Sequence, residues 1–83
     1  MENKNMTVAL TLPNAPEFVS VARLALSGVA SRMGFNVDDI DDLKVAVSEA
    51  CTNALKHGCV NKDGNYFVYY TIDGKKLIIE VCD

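Results

Sequence analysis

Apolar and polar side chains alternate strictly where the chain first shows order. Met6, Val8, Leu10 and Leu12 trade places with Thr7, Ala9 and Thr11, the period of a strand with one face against a core. Pro13-Asn14-Ala15-Pro16 breaks the pattern. Pro16 suits a first helical turn, where a missing N–H needs no partner. The period then lengthens. Phe18, Ala22, Ala25, Val29 and Met33 form one apolar stripe, which predicts a helix from about Pro16 to Met33 with Gly34 as its stop. Val19, Val21, Leu24 and Leu26 fall outside the stripe. A helix apolar over most of its circumference wants burial on more than one side, by flanking strands or by a second protein surface. Arg23 interrupts it in mid-helix, as a partner contact or as a cation snorkelling from an apolar face. Arg32 lies near the C-terminal end, where a cation complements the helix dipole.

A second helix opens at Asn36-Val37-Asp38-Asp39. Asp38, Asp39, Asp41 and Asp42 read as capping charges beside exposed N–H groups. Ile40, Leu43, Val47, Ala50 and Ala54 make its core stripe; Lys56 and His57 fall in its last turn, and Gly58 closes it as a C′ residue does. Asn61 to Asn65 is a turn-rich connector, Tyr66 to Ile72 a β-branched and aromatic strand, Asp73-Gly74 a tight turn, and Lys76 to Asp83 the returning strand. The expected order is β-α-α-β-β, an α+β layered domain.

Chemistry concentrates on the second helix. Glu49, Asn53 and Lys56 recur at i, i+4 and i+7, so an acid, an amide and a base share one face, with His57 beside it. Spacing leaves two readings open: a solvated stripe on an amphipathic helix, or a metal–phosphate site with a general base. Measured from the apolar stripe, Glu49 and Asn53 are expected at the edge of the core, partly sheltered, where a carboxylate is tunable as a base.

The bulk properties narrow the classes. Eighty-three residues make one small domain with a modest core. An apolar fraction of 49% with 23% charged residues excludes wholesale disorder. The net charge of −3 and the scattered Lys and Arg argue against a nucleic-acid surface. The N-terminus shows no long apolar run, so neither a signal peptide nor a membrane span is expected. Cys51, Cys59 and Cys82 are an odd set without CxxC spacing. They fit neither a disulfide framework nor a zinc site and suit buried thiols in a reducing cytoplasm.

Val47-Ser48-Glu49-Ala50-Cys51-Thr52-Asn53-Ala54 resembles the N-box of the GHKL superfamily of ATPases and kinases, the Bergerat fold. Within it, Arg23-Leu24, the run Leu26 to Gly34, Asp42-Leu43-Lys44 and the N-box itself are similar to the anti-sigma-B factor family of bacterial serine-protein kinases. The sporulation anti-sigma-F kinases are the sibling family. The similarity is strong from Leu12 to about His57 and extends to the hairpin by pattern.

The resemblance implies a two-layer α/β sandwich, truncated before the glycine boxes and lid, with residues 1–83 as the N-terminal portion of a single histidine-kinase-like ATPase domain. It implies ATP and Mg²⁺, with Glu49 as general base and Asn53 as the Mg²⁺ ligand. Asp83 matches the aspartate that reads the adenine amino group. Lys56 matches a basic phosphate-neighbouring position, and His57 a histidine of the anti-sigma branch. The implied partners are an alternative sigma factor, a STAS-type anti-anti-sigma protein phosphorylated on serine, and a second copy in a homodimer, with Arg23 as a partner contact. Neither direct nucleic-acid binding nor membrane binding is expected.

Two departures stand out. Gly58-Cys59-Val60 replaces the usual Ala or Gly followed by Tyr, and the sequence given ends at Asp83, before the family's glycine-rich loops. The chain alone is therefore expected to bind ATP poorly and to lack full kinase activity. A switch-type serine kinase and a histidine-kinase-type ATPase are the alternatives, as is a fragment acting only as a binding or dimerisation module.

Overall fold

A computed structural model describes residues 5–58 and 64–81. Strand β1 (Met6–Pro13) pairs antiparallel with β2 (Asn65–Asp73), which pairs antiparallel with β3 (Lys76–Val81), giving the sheet order β1-β2-β3. A single 3₁₀ turn (Pro16–Phe18), helix α1 (Val19–Arg32) and helix α2 (Val37–Lys56) lie between β1 and β2. The β-α-α-β-β order is the expected one. Both helices layer on one face of the sheet.

Register explains which face. Val8 lies opposite Tyr70, Leu10 opposite Val68 and Leu12 opposite Tyr66, so the alternating apolar residues of two strands point the same way. Leu12, Tyr66, Val68 and Tyr70 are buried there with Ala22, Leu26, Val47, Cys51 and Ala54. Met6 and Val8 remain exposed, because the helices cover only the second half of β1. On the opposite face Thr7 and Thr71 share a 3.1 Å hydroxyl–hydroxyl hydrogen bond, and the Phe67 and Tyr69 rings stack. The β2–β3 turn closes tightly. Asp73 pairs with Lys76 across Gly74-Lys75, and Gly74 adopts φ 64, as a two-residue hairpin loop requires.

In α1 the buried residues are Ala22, Leu26 and Ala30. This corrects the stripe read from sequence, which left Leu26 outside and put Phe18 in line. Phe18 belongs to the 3₁₀ turn, whose tighter winding puts it out of phase with the α-helix that follows, and it is exposed. The α-helix begins at Val19 rather than Pro16. Its end is a Schellman motif: Phe35 N–H donates to Ala30 C=O at 3.1 Å and Gly34 N–H to Ser31 C=O at 3.0 Å, with Gly34 at φ 91.

Asn36 caps α2, its side-chain oxygen accepting from the Asp39 N–H at 2.8 Å. The buried residues of α2 are Val47, Cys51 and Ala54. Cys51, rather than Ala50, completes the core stripe, which rotates the stripe's centre relative to the sequence reading. Burial pushes the Cys51 thiol up, against a smaller opposing effect of the Tyr66 hydroxyl beside it. Burial, and then the Cys51 neighbour, pushes Tyr66 up to about 12. The buried Tyr66 hydroxyl has no hydrogen-bond partner of good geometry among the described residues, with the Cys51 thiol its polar neighbour. Cys59 and Cys82 lie outside the described residues. No described helix is long and apolar enough to cross a membrane.

Candidate functional site

Helix α2 carries its core residues and its chemistry on opposite sides. At about 100° per residue, Glu49 points roughly 140–160° away from Val47, Cys51 and Ala54. Glu49 and Asn53 are both exposed. The expectation of a partly sheltered edge position is therefore corrected: with Cys51 in the core, the acid and the amide stand on the side facing away from the sheet.

Glu49 and Asn53 line one open depression of about 360 Å³ together with Ser48 and Thr52. One helical turn separates the acid from the amide, so their side chains neighbour each other. Ser48 is half-buried and donates its hydroxyl proton to the Lys44 carbonyl at 2.7 Å. Neither Ser48 nor Thr52 is among the site residues expected from the sequence. Thr52 follows Glu49 by three residues and Ser48 precedes Thr52 by four, so helix periodicity brings them beside the acid without marking them as site residues.

Lys56 and His57 are exposed and are not among the residues lining the depression. Lys56 is the last residue of α2, and the His57 backbone N–H closes the final turn on the Asn53 carbonyl at 2.9 Å. Asp83 lies outside the described residues. Arg23 is exposed and lines a second depression of about 230 Å³ with Ser20, Leu24 and Lys44. Lys44 was not anticipated there. It comes from the other helix, and that proximity is legible only once α1 and α2 are packed together.

The donor set fits a metal only as one contributor among several. No group of three or more His, Cys, Asp or Glu side chains able to hold an ion occurs among the described residues. An amide oxygen beside a carboxylate suits Mg²⁺ that already carries phosphate oxygens and water, since Mg²⁺ is commonly held by few protein ligands plus substrate phosphates. Asn53 also lies in the last turn of α2, where the dipole's negative end favours a cation.

The histidine kinase-like ATPase domain family matches residues 12–83. Serine-protein kinase RsbW of Bacillus subtilis (strain 168) is 44% identical over 84 residues, covering 100% of this chain and 52% of the relative. RsbW of Listeria monocytogenes serotype 4b (strain F2365) is 51% identical over 77 residues, covering 92% of this chain and 49% of the relative. RsbW of Bacillus velezensis is 47% identical, covering 92% and 48%. The chain spans about half the length of these relatives. With the family's match running from the end of β1 through the Glu49–Asn53 helix to the hairpin, the chain belongs to the histidine kinase-like ATPase domain family.

Proposed function

We propose that this chain is the N-terminal portion of a single ATPase domain in an anti-sigma factor that is also a serine-protein kinase. It holds an alternative sigma factor inactive and phosphorylates a serine on a STAS-type anti-anti-sigma antagonist, in the cytoplasm. The observation that carries the reading is the shared depression of Glu49 and Asn53, on a helix whose family and relatives are kinases and ATPases.

In this reading Glu49 accepts the proton of the acceptor serine hydroxyl. The serine oxygen forms the new bond to the γ-phosphorus as the bond to the bridging oxygen of the ADP leaving group breaks. Mg²⁺, when bound, neutralises charge on the nucleotide phosphates, and the Asn53 side-chain oxygen holds it. Lys56 and His57 stand at the C-terminal end of the same helix, near the phosphates rather than in the wall of the depression. Asp83 reads the adenine amino group. Phosphate cradling by backbone N–H groups is not assigned to any described residue, and little or no kinase activity is expected of the 83-residue chain by itself.

Partner binding belongs to α1. Leu24 is 73% exposed, and Val21, Phe18 and the β1 residues Met6 and Val8 are exposed with it. Such exposed apolar side chains suit self-association as a homodimer. Arg23 contacts a protein partner beside them. The test is phosphorylation of the cognate antagonist with labelled ATP, by the full-length protein and by the 83-residue chain side by side. Transfer by the former alone supports the reading. Absence of transfer by the full-length protein would sink it.

A further inference from the structure

Ser48 and Thr52 line the same depression as Glu49 and Asn53, yet the reading above gives them no part. At about 100° per residue, Asn53 lies about 40° to one side of Glu49. Thr52 lies about 60° and Ser48 about 100° to the other. Glu49 therefore divides the depression into an amide side and a hydroxyl side.

In-line transfer requires the attacking oxygen to lie across the phosphorus from the leaving oxygen. With the nucleotide's metal on the Asn53 side, the acceptor hydroxyl reaches Glu49 from the hydroxyl side. The two hydroxyls are equipped differently. Ser48 has committed its proton to the Lys44 carbonyl, which fixes its oxygen as an acceptor. The Thr52 hydroxyl makes no hydrogen bond among the described residues and is exposed, free to donate or accept. Lys44, Ser48 and Thr52 recur at i, i+4 and i+8, and Lys44 lines the second depression with Arg23. One helical row thus leads from that depression to Glu49.

Resting on the kinase reading, we propose that Ser48 and Thr52 form the acceptor subsite. They hydrogen-bond the backbone amide groups of the polypeptide segment that bears the target serine and hold its hydroxyl against Glu49. A protein partner seated at the Arg23–Lys44 depression feeds that segment along the row.

The experiment uses the full-length protein carrying this chain, its phosphorylatable antagonist, and Mg–ADP as the nucleotide probe. Thr52→Val preserves shape at an exposed position. It is expected to raise the KM for the antagonist about 5- to 10-fold, the size of one net hydrogen bond. Thr52→Ser should restore it, with Mg–ADP affinity and Tm unchanged in both. Ser48→Ala should move the antagonist KM in the same direction. An unchanged antagonist KM in Thr52→Val, or a fall in Mg–ADP affinity in its place, overturns the subsite while leaving the kinase reading intact. An unmutated protein that phosphorylates nothing overturns both.

Discussion

The Tyr70 hydroxyl donates a 2.6 Å hydrogen bond to the Ala22 carbonyl, fastening the middle strand to α1 at a point where both residues are fully buried. Tyr66, four residues earlier on the same face, is equally buried, but its hydroxyl finds only the Cys51 thiol. Two tyrosines of one strand thus make opposite contributions. Tyr70→Phe should lower stability by about 1 kcal/mol. Tyr66→Phe should be neutral or stabilising, because it removes a buried hydroxyl with no good partner. Urea unfolding of the two variants at neutral pH checks the contrast; equal losses would contradict it.

The same cluster sets an alkaline limit. An unfolded tyrosine gives up its proton near pH 10, whereas folded Tyr66 holds it to about 12. Burial raises Tyr70 as well. For an acid raised on folding, the stability it contributes is fully present below about pH 10 and is lost as pH rises through about 12. The gap for Tyr66 is worth on the order of 3 kcal/mol. Unfolding midpoints should therefore fall between pH 10 and 12, and fall less steeply in Tyr66→Phe. An identical slope in the variant would refute the assignment.

The corrected face of α1 can be read by mutation. Leu26 is fully buried while Leu24 is 73% exposed. Leu26→Ala should cost roughly 3 kcal/mol through a cavity, and Leu24→Ala within about 0.5 kcal/mol at protein concentrations low enough to keep protomers apart. At high concentration Leu24→Ala should weaken self-association, followed by analytical ultracentrifugation. The reverse order of stabilities would restore the stripe expected from sequence.

Helix ends supply a further check. Asn36→Ala removes the cap on the Asp39 N–H and should cost about 1 kcal/mol. Gly34→Ala forces a Cβ into φ 91, with nothing within 4 Å to clash. Its cost, about 1 kcal/mol, is purely conformational. Both should appear in thermal unfolding with circular dichroism. A Gly34→Ala protein as stable as the parent would argue against the Schellman ending.

Much of this was legible because local rules act locally. The alternation in β1, the Asn36 cap, Gly34 as a stop and the Asp73-Gly74 turn each follow from a few adjacent residues. What failed depended on more distant packing. Ala50 and Cys51 are neighbours, and only the sheet beneath α2 decides which one faces it. That choice rotated the core stripe and moved Glu49 and Asn53 from a sheltered edge to an exposed face. Covering by the helix layer likewise stops short of Met6 and Val8, which periodicity alone cannot foresee. Lys44 joins Arg23 only across the helix pair. Ser48 and Thr52 were visible in the N-box run, but two hydroxyls carry no distinctive spacing until a depression gathers them around Glu49.

Glu49 as general base is the point on which the account turns. In the full-length protein, Glu49→Ala should abolish phosphorylation of the antagonist, measured with labelled ATP, while sigma-factor binding in the same preparation stays within about twofold of the parent, an energy below 0.5 kcal/mol. Retained phosphorylation would contradict the assignment, and loss of both activities together would make Glu49 a structural residue.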